Sequence, residues 1–348
     1  MNESQPRLLI EDCARAAAAP DRDLGILRDQ CVLITGGTGF VGSWLAQMTA
    51  YLNDRHAFGM RLILLAPDGR GFTRRAPHLG GRDDLRLVEK DVRNIVELPD
   101  DIRYVVNAAG TPDNRFHSSN PIRTIETFCM GTHALLQAVM RLSDVRNILQ
   151  ISSGLIYGNQ EPESPPIDES LFGRLDPNSP SAVYPEAKRL AETLCAAYRT
   201  QSGLPITIAR LFTFLGPYQL LDRPWAVNNF VRDGLRGGPI RVQGDGETVR
   251  SFMYGADLAY WLLRILVAGE NGKAYNVGSP HPVRLKDLAD KVAALVPVRP
   301  QVELNSMPTP SRTRTVWVPD VGLAQRTLGL RLTCDLDYAL RRTIEWYR

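Results

Sequence analysis

The chain has 348 residues, 44% of them hydrophobic and 23% charged, with a net charge of +3. These values suit a soluble globular protein with one large α/β core, or a core plus a smaller lobe. So small a charge, without any Lys/Arg block of five or more, argues against nucleic acid; no apolar run approaches the ~18 residues of a membrane span.

Residues 1–28 precede the first clear strand and read as an N-terminal extension, with a short helix from Ile10 to Ala19, ended by Pro20, on the surface. The extension carries Glu3, Glu11 and Asp12 and no apolar segment of the secretory kind. Cys31–Thr35 is a continuous apolar run ending in glycines, as in a parallel strand buried on both faces. Ser43 to Leu52 has helical periodicity; 61–65, 85–89 and 104–110 read as further strands, and 122–141 as a long helix. Residues 147–153 form a fifth strand, 182–202 a helix and 206–210 a sixth strand. Such alternation predicts a doubly wound parallel α/β sheet. After Gly216-Pro217 the pattern loosens, with one more apolar strand at 274–278 and then two helices, which suggests a smaller lobe interleaved with the end of the sheet. The cysteines Cys13, Cys31, Cys129, Cys195 and Cys334 are odd in number and scattered, so free thiols in a reducing compartment, a cytoplasmic location and no metal site are expected.

Two motifs carry chemistry. Thr35-Gly36-Gly37-Thr38-Gly39-Phe40-Val41-Gly42 joins a strand to a helix. There Gly36 permits the tight turn, Gly39 lets backbone approach a pyrophosphate, and Gly42 allows close helix–strand packing. The helix N-terminus behind it presents unpaired N–H groups to phosphate. Beyond the second strand, Asp68 could accept from a ribose 2′-hydroxyl and Arg70 could meet a 2′-phosphate, which leaves NAD and NADP both open; an ordinary turn explains the pair as well. Asp91 could accept from an adenine amino group or cap a helix. The second motif is Tyr184-Pro185-Glu186-Ala187-Lys188, four residues apart on one helical face. An ammonium beside a phenol favours phenolate, so the tyrosine's pKa is expected to fall toward neutrality. A solvated helix pair is the bland alternative, and the dinucleotide turn upstream tells against it.

With Asn107-Ala108-Ala109-Gly110, Ser152-Ser153-Gly154-Leu155-Ile156-Tyr157-Gly158, Arg210-Leu211-Phe212 and Arg250-Ser251-Phe252, these motifs resemble the extended short-chain dehydrogenase/reductases that epimerise or dehydrate nucleotide sugars. The likeness runs from about Cys31 to the C-terminus. It implies a Rossmann domain over 29–217 and 252–279, and a nucleotide-sugar-binding lobe over 218–251 and 280–348. It implies NAD, with NADP not excluded, held by Gly36, Gly39, Phe40, Val41, Gly42, Asp68, Asp91, Val92, Ala108, Ala109, Gly110, Tyr184 and Lys188. Tyr184 would be the acid/base, Lys188 its pKa-lowering partner and ribose ligand, and Ser153 a donor to the same sugar oxygen. Thr213, Asn229, Arg250 and Arg314 would touch a nucleotide-diphosphate sugar, with Arg312 a competitor for Arg314, and Trp225 and Phe230 could flank its base. A salt bridge to Asp245 or Asp257 is the structural alternative for Arg250. The resemblance also implies a homodimer through the helices at 122–141 and 182–202, where Met130, Leu135, Ala138, Leu190 and Leu194 could supply apolar surface.

Departures from the family pattern bear on the reaction. Sugar 4,6-dehydratases carry Asp and Glu where this chain has Gly154 and Leu155, and UDP-glucuronate decarboxylases carry Glu at the second position. Neither glycine nor leucine moves a proton. Phe128 and Thr213 stand where the family usually has asparagine. The expected activity is therefore 4-epimerisation through a keto intermediate, with NADPH-dependent reduction of a ketosugar as the alternative. Dehydration or decarboxylation is disfavoured, and a non-catalytic dinucleotide-sensing scaffold is a further alternative.

Overall fold

Apolar runs too continuous for a half-exposed strand sit side by side in the central sheet. The computed structural model describes residues 4–18, 20–160, 166–305 and 316–348. It begins with helices α1 (Ser4–Ala16) and α2 (Pro20–Leu24), strand β1 (Cys31–Thr35), α3 (Phe40–His56), β2 (Arg61–Ala66), α4 (Arg70–Arg75), α5 (Pro77–Gly80), β3 (Leu85–Glu89) and β4 (Ile102–Asn107). Then come α6 (Asn114–Ser119), α7 (Pro121–Ile125), α8 (Gly131–Val139), β5 (Asn147–Ser153), α9 (Val183–Ser202), β6 (Ile206–Leu211) and β7 (Phe214–Leu215). The remainder comprises α10 (Ala226–Leu235), β8 (Ile240–Gln243), β9 (Val249–Arg250), β10 (Met253–Tyr254), α11 (Gly255–Ala268), β11 (Ala274–Val277), β12 (Val283–Arg284), α12 (Leu285–Leu295), β13 (Val302–Asn305), β14 (Val316–Trp317), α13 (Gly322–Leu328) and α14 (Leu336–Tyr347).

The main sheet has the order β3-β2-β1-β4-β5-β6-β11, and every pairing in it is parallel. Along β1, Val32 and Ile34 pack into the core beneath α3 and α11, while Leu33 packs into the opposite one with Leu135 and Cys195. Side chains of alternate residues thus find helices on both faces, which is why the run is apolar throughout. This is the doubly wound Rossmann arrangement, and its strand order reverses between β1 and β4, where such sheets open a ligand crevice. Outside the main sheet, β12-β9-β14 and β13-β8 form small sheets, and β7 pairs with β10.

Three local expectations differ from the structure. The first helix begins at Ser4 and ends at Ala16, and Pro20 opens α2 rather than stopping α1. Leu8, Leu9, Cys13 and Ala16 of α1 belong to the main core, so the extension is built into the fold and does not lie on its surface. Asp12 lies on that same stripe, fully buried, and its charge concealed the pattern. The expected helix at 122–141 contains a five-residue π-helical turn, Glu126–Met130, between α7 and α8. Three helices, not two, follow β11, because Gly329 in a left-handed conformation (φ 67°) separates α13 from the segment before α14.

Candidate active site

The glycine turn lies at the crevice. Gly36 has φ 65°, and a Cβ there would strike the carbonyl of Ala108 at the end of β4; this draws the two loops together. At Gly42 a Cβ would strike the Gly37 carbonyl, so α3 could not pack so closely. Gly39 caps α3 in extended geometry, with Phe40 and Val41 half-buried behind it. The floor is fixed by Asn107, which accepts from Thr35 Oγ1 at 2.6 Å and donates to Thr132 Oγ1 at 3.0 Å and Gln150 Oε1 at 2.8 Å. A backbone cradle at a helix N-terminus fits a pyrophosphate, so these residues suit a dinucleotide. Asp68 is exposed and accepts from the amide of Arg70 at 2.9 Å, an ordinary turn contact. Arg75 donates to the Thr38 carbonyl at 2.8 Å, which brings a cation to the rim of the turn. Asp91 caps the short turn that starts at Val92 and forms a two-pronged pair with Arg93 at 3.1 and 2.8 Å; the guanidinium holds its carboxyl below the usual range.

Across the crevice, β5 ends in Ser153 and the first turn of α9 holds Tyr184 and Pro185. Ser153, Tyr184 and Lys188 are 8%, 8% and 4% exposed, so the three sequence-predicted catalytic groups are all buried. Ser153 Oγ accepts from the Leu155 amide at 3.1 Å and sits close enough to the Tyr184 phenol to act on its pKa. Lys188 Nζ donates to the Ile151 carbonyl at 2.8 Å and lies 6.0 Å from the centre of the Tyr184 ring. The expected fall in the tyrosine's pKa is not what this geometry gives. Burial pushes the phenol up to about 12, with the Ser153 hydroxyl pulling the other way. The same burial brings the Lys188 ammonium down to about 7, with Glu192 opposing. Desolvation outweighs the pairing because the ammonium is turned toward a carbonyl and not toward the phenol.

Two neighbours of this group carry no motif. His117 stacks on Tyr184, with ring centres 4.4 Å apart and planes 24° from parallel. Thr124 Oγ1 lies 3.0 Å from His117 Nδ1 and donates to the Asn120 carbonyl at 3.0 Å. Among the described residues Nε2 is buried without a hydrogen-bond partner, and burial lowers the imidazole to about 4. Phe128, from the π-helical turn, meets the Tyr184 ring edge-on at 5.3 Å and 76°. Its ring occupies the space a side chain at Gly110 (φ 111°) would take. Only the placement of α6 and of the π turn brings these residues here, and no spacing in the sequence announces it.

The other predicted residues lie on separate elements. Ala108 and Ala109 are half-buried and Gly110 exposed at the end of β4. Thr213 is half-buried between β6 and β7, where its carbonyl accepts from Met253 at 3.0 Å; Asn229 is half-buried on α10 and Arg250 on β9. Asp257 accepts from Thr333 and Cys334, and Asp245 accepts from the Glu247 amide. Phe230 is 2% exposed within the core, whereas Trp225 is half-buried just before α10. Arg312 and Arg314 lie outside the described residues. Leu135 and Ala138 are core residues, but Met130 and Leu190 are 55% and 46% exposed, beside Ile122 and Ile125 at 73% and 45%. Among the described residues no helix is long and apolar enough to cross a membrane.

Residues 32–278 match the family described as the NAD dependent epimerase/dehydratase family. UDP-glucuronic acid decarboxylase 1 of Danio rerio is 30% identical over 318 residues, covering 91% of this chain and 72% of that protein. UDP-glucuronic acid decarboxylase 6 of Arabidopsis thaliana is 32% identical over 301 residues, covering 86% and 83%. Among solved structures, UDP-glucuronic acid 4-epimerase from Bacillus cereus, in complex with UDP-glucuronic acid and NAD, superposes with a TM-score of 0.77 at 23% identity, covering 91% and 98%; that likeness is one of fold.

Proposed function

Because the chain belongs to the NAD dependent epimerase/dehydratase family, we propose that it oxidises and re-reduces one carbinol of a nucleoside-diphosphate sugar, with net 4-epimerisation. The observation that carries this reading is the buried Ser153–Tyr184–Lys188 group beside two residues, Gly154 and Leu155, that cannot move a proton. NAD, when bound on the glycine turn, supplies a hydride acceptor and a positive ring. Gly36, Gly39, Phe40, Val41, Gly42, Val92, Ala108, Ala109 and Gly110 would hold it, with Asp68 and Asp91 toward the adenosine, and Tyr184 and Lys188 toward the nicotinamide.

Tyr184 takes the proton from the sugar hydroxyl as its carbon is oxidised and returns it on re-reduction. Its protonated resting state suits the returning step, and a cation at the site favours the phenolate needed for the first. Ser153 orients the same oxygen. Arg250, Asn229 and Thr213 are assigned to the diphosphate side, where a planar multi-donor cation suits the charge. A 4,6-elimination would need an acid and a base beyond Tyr184, which Gly154 and Leu155 do not supply.

A second reading, decarboxylation of UDP-glucuronate, is favoured by the relatives at 30% and 32% identity. A C4 ketone turns a uronic acid into a β-keto acid, which loses carbon dioxide without a dedicated base when the C5–C6 bond stands across the carbonyl plane. Leu155 then fails to guide the step but does not forbid it. A second copy of the chain docked on the exposed Ile122, Ile125, Met130 and Leu190 face is the assembly proposed, with its mass in solution as the check.

Purified protein incubated with NAD and with UDP-glucuronate or UDP-glucose tests the reading. The 4-epimer is expected; a UDP-pentose would select decarboxylation. A bound NADP(H) that exchanges at each turnover would select ketosugar reduction. No conversion of either sugar would sink the proposal.

A further inference from the structure

We propose that Phe128 is a positioning residue whose ring face holds Lys188 as an ammonium ion beside Tyr184. The inference rests on the reading of Lys188 as a member of the catalytic group. Lys188 Nζ lies 4.2 Å from the centre of the Phe128 ring, within cation–π range, and both residues are 4% exposed. Among the described residues the ammonium donates one hydrogen bond, to the Ile151 carbonyl. A buried ammonium is costly unless its charge is compensated.

The groups facing Lys188 leave the ring as a compensator. On its own helix, Glu192 is committed to Arg210 at 2.7 Å, Tyr184 keeps its proton, and Cys195 is a buried thiol pushed up to about 12. From the π turn, Cys129 is likewise raised by burial. From α6, His117 is neutral at working pH, with Asp113 behind it paired to Arg115 and Arg223. β5 contributes only neutral groups, the Ile151 carbonyl and Ser153. Among the described residues no uncommitted anion pairs with the ammonium, so the electron-rich face of Phe128 adds to the Ile151 carbonyl and the more distant charge of Glu192 in stabilising it.

Two backbone features make room for it. The wider π-helical turn at Glu126–Met130 rotates Phe128 inward, and Gly110 leaves the ring's space free. The same ring meets Tyr184 edge-on, so one side chain fixes both catalytic groups.

The chain has five lysines, which makes the test direct. Lysine-labelled protein is titrated by NMR, with Lys188→Met assigning the signal. In the wild type Lys188 should titrate well below the other lysines. In Phe128→Leu its inflection should fall by about one pH unit, and in Phe128→Tyr, which keeps a ring face, it should return to within a few tenths. Should Phe128→Leu prove insoluble, Phe128→Met reads the same shift. The alkaline limb of kcat should move down in parallel. An unmoved Lys188 inflection, or a pH–rate profile merely scaled down, would overturn the inference. If the titration shifts as stated while the wild type converts no nucleotide sugar, the proposed function fails and the assignment of the charge stands.

Discussion

Replacing Asp12 by alanine should destabilise the whole molecule although the residue belongs to no motif of the site. Its carboxylate accepts from the hydroxyls of Tyr254 and Tyr338, both at 2.6 Å, and from Arg342 Nε at 2.7 Å. Burial raises its pKa, and those three donors oppose the rise. Asp12→Ala leaves two phenols and a guanidinium without their acceptor. Breaking a buried pair from one side costs about 3–5 kcal/mol. With an unfolding entropy of roughly 2.1 cal/mol/K per residue over 348 residues, that loss lowers the melting temperature by about 4–7 °C. Asp12→Asn keeps one acceptor oxygen and should lose roughly half as much. Thermal unfolding followed by circular dichroism reads both. A shift below about 1 °C for Asp12→Ala would refute the view that α1 is part of the core. The consequence reaches the site, because Tyr254 belongs to β10 and Met253 beside it donates to the Thr213 carbonyl.

Asp113, 3% exposed and paired with Arg223 at 2.7 Å and Arg115 at 3.0 Å, is held below the usual carboxylate range. A depressed folded pKa stabilises above the unfolded value of about 4 and is lost as pH falls below it. The melting difference between wild type and Asp113→Asn should be largest near neutral pH and shrink in acid; a difference independent of pH would contradict the assignment. Arg250→Ala should raise KM for the nucleotide sugar by about 10- to 100-fold with kcat little changed, as expected for a contact that binds substrate and transition state alike. A loss confined to kcat would remove Arg250 from the diphosphate site.

The strands are readable because a parallel sheet covered on both faces favours continuous apolar runs, as at Cys31–Ile34, while β5 keeps Ile148, Leu149 and Ile151 among buried polar residues. The glycine turn was readable because Gly36 and Gly42 sit where any Cβ would collide with backbone. The burial of α1 is hidden in the sequence because Asp12 looks like a surface charge until Tyr254, Tyr338 and Arg342 arrive from the other end of the chain. The π turn at Glu126–Met130 leaves no trace in a periodicity close to 3.6, so Phe128 registered only as a missing asparagine. His117 is one of five histidines, and only the packing of α6 on α9 places it on Tyr184. Spacing alone predicts a lowered Tyr184 pKa because it reports neighbours, whereas burial, which dominates, belongs to the folded state.

The most direct test mixes NAD-loaded protein with UDP-glucuronate and, separately, UDP-glucose, and follows nicotinamide reduction and sugar product in wild type and Tyr184→Phe. The account predicts turnover of at least one sugar by the wild type and a loss of about 10²- to 10⁴-fold in Tyr184→Phe, with NAD still bound. Turnover by Tyr184→Phe at close to the wild-type rate would contradict it.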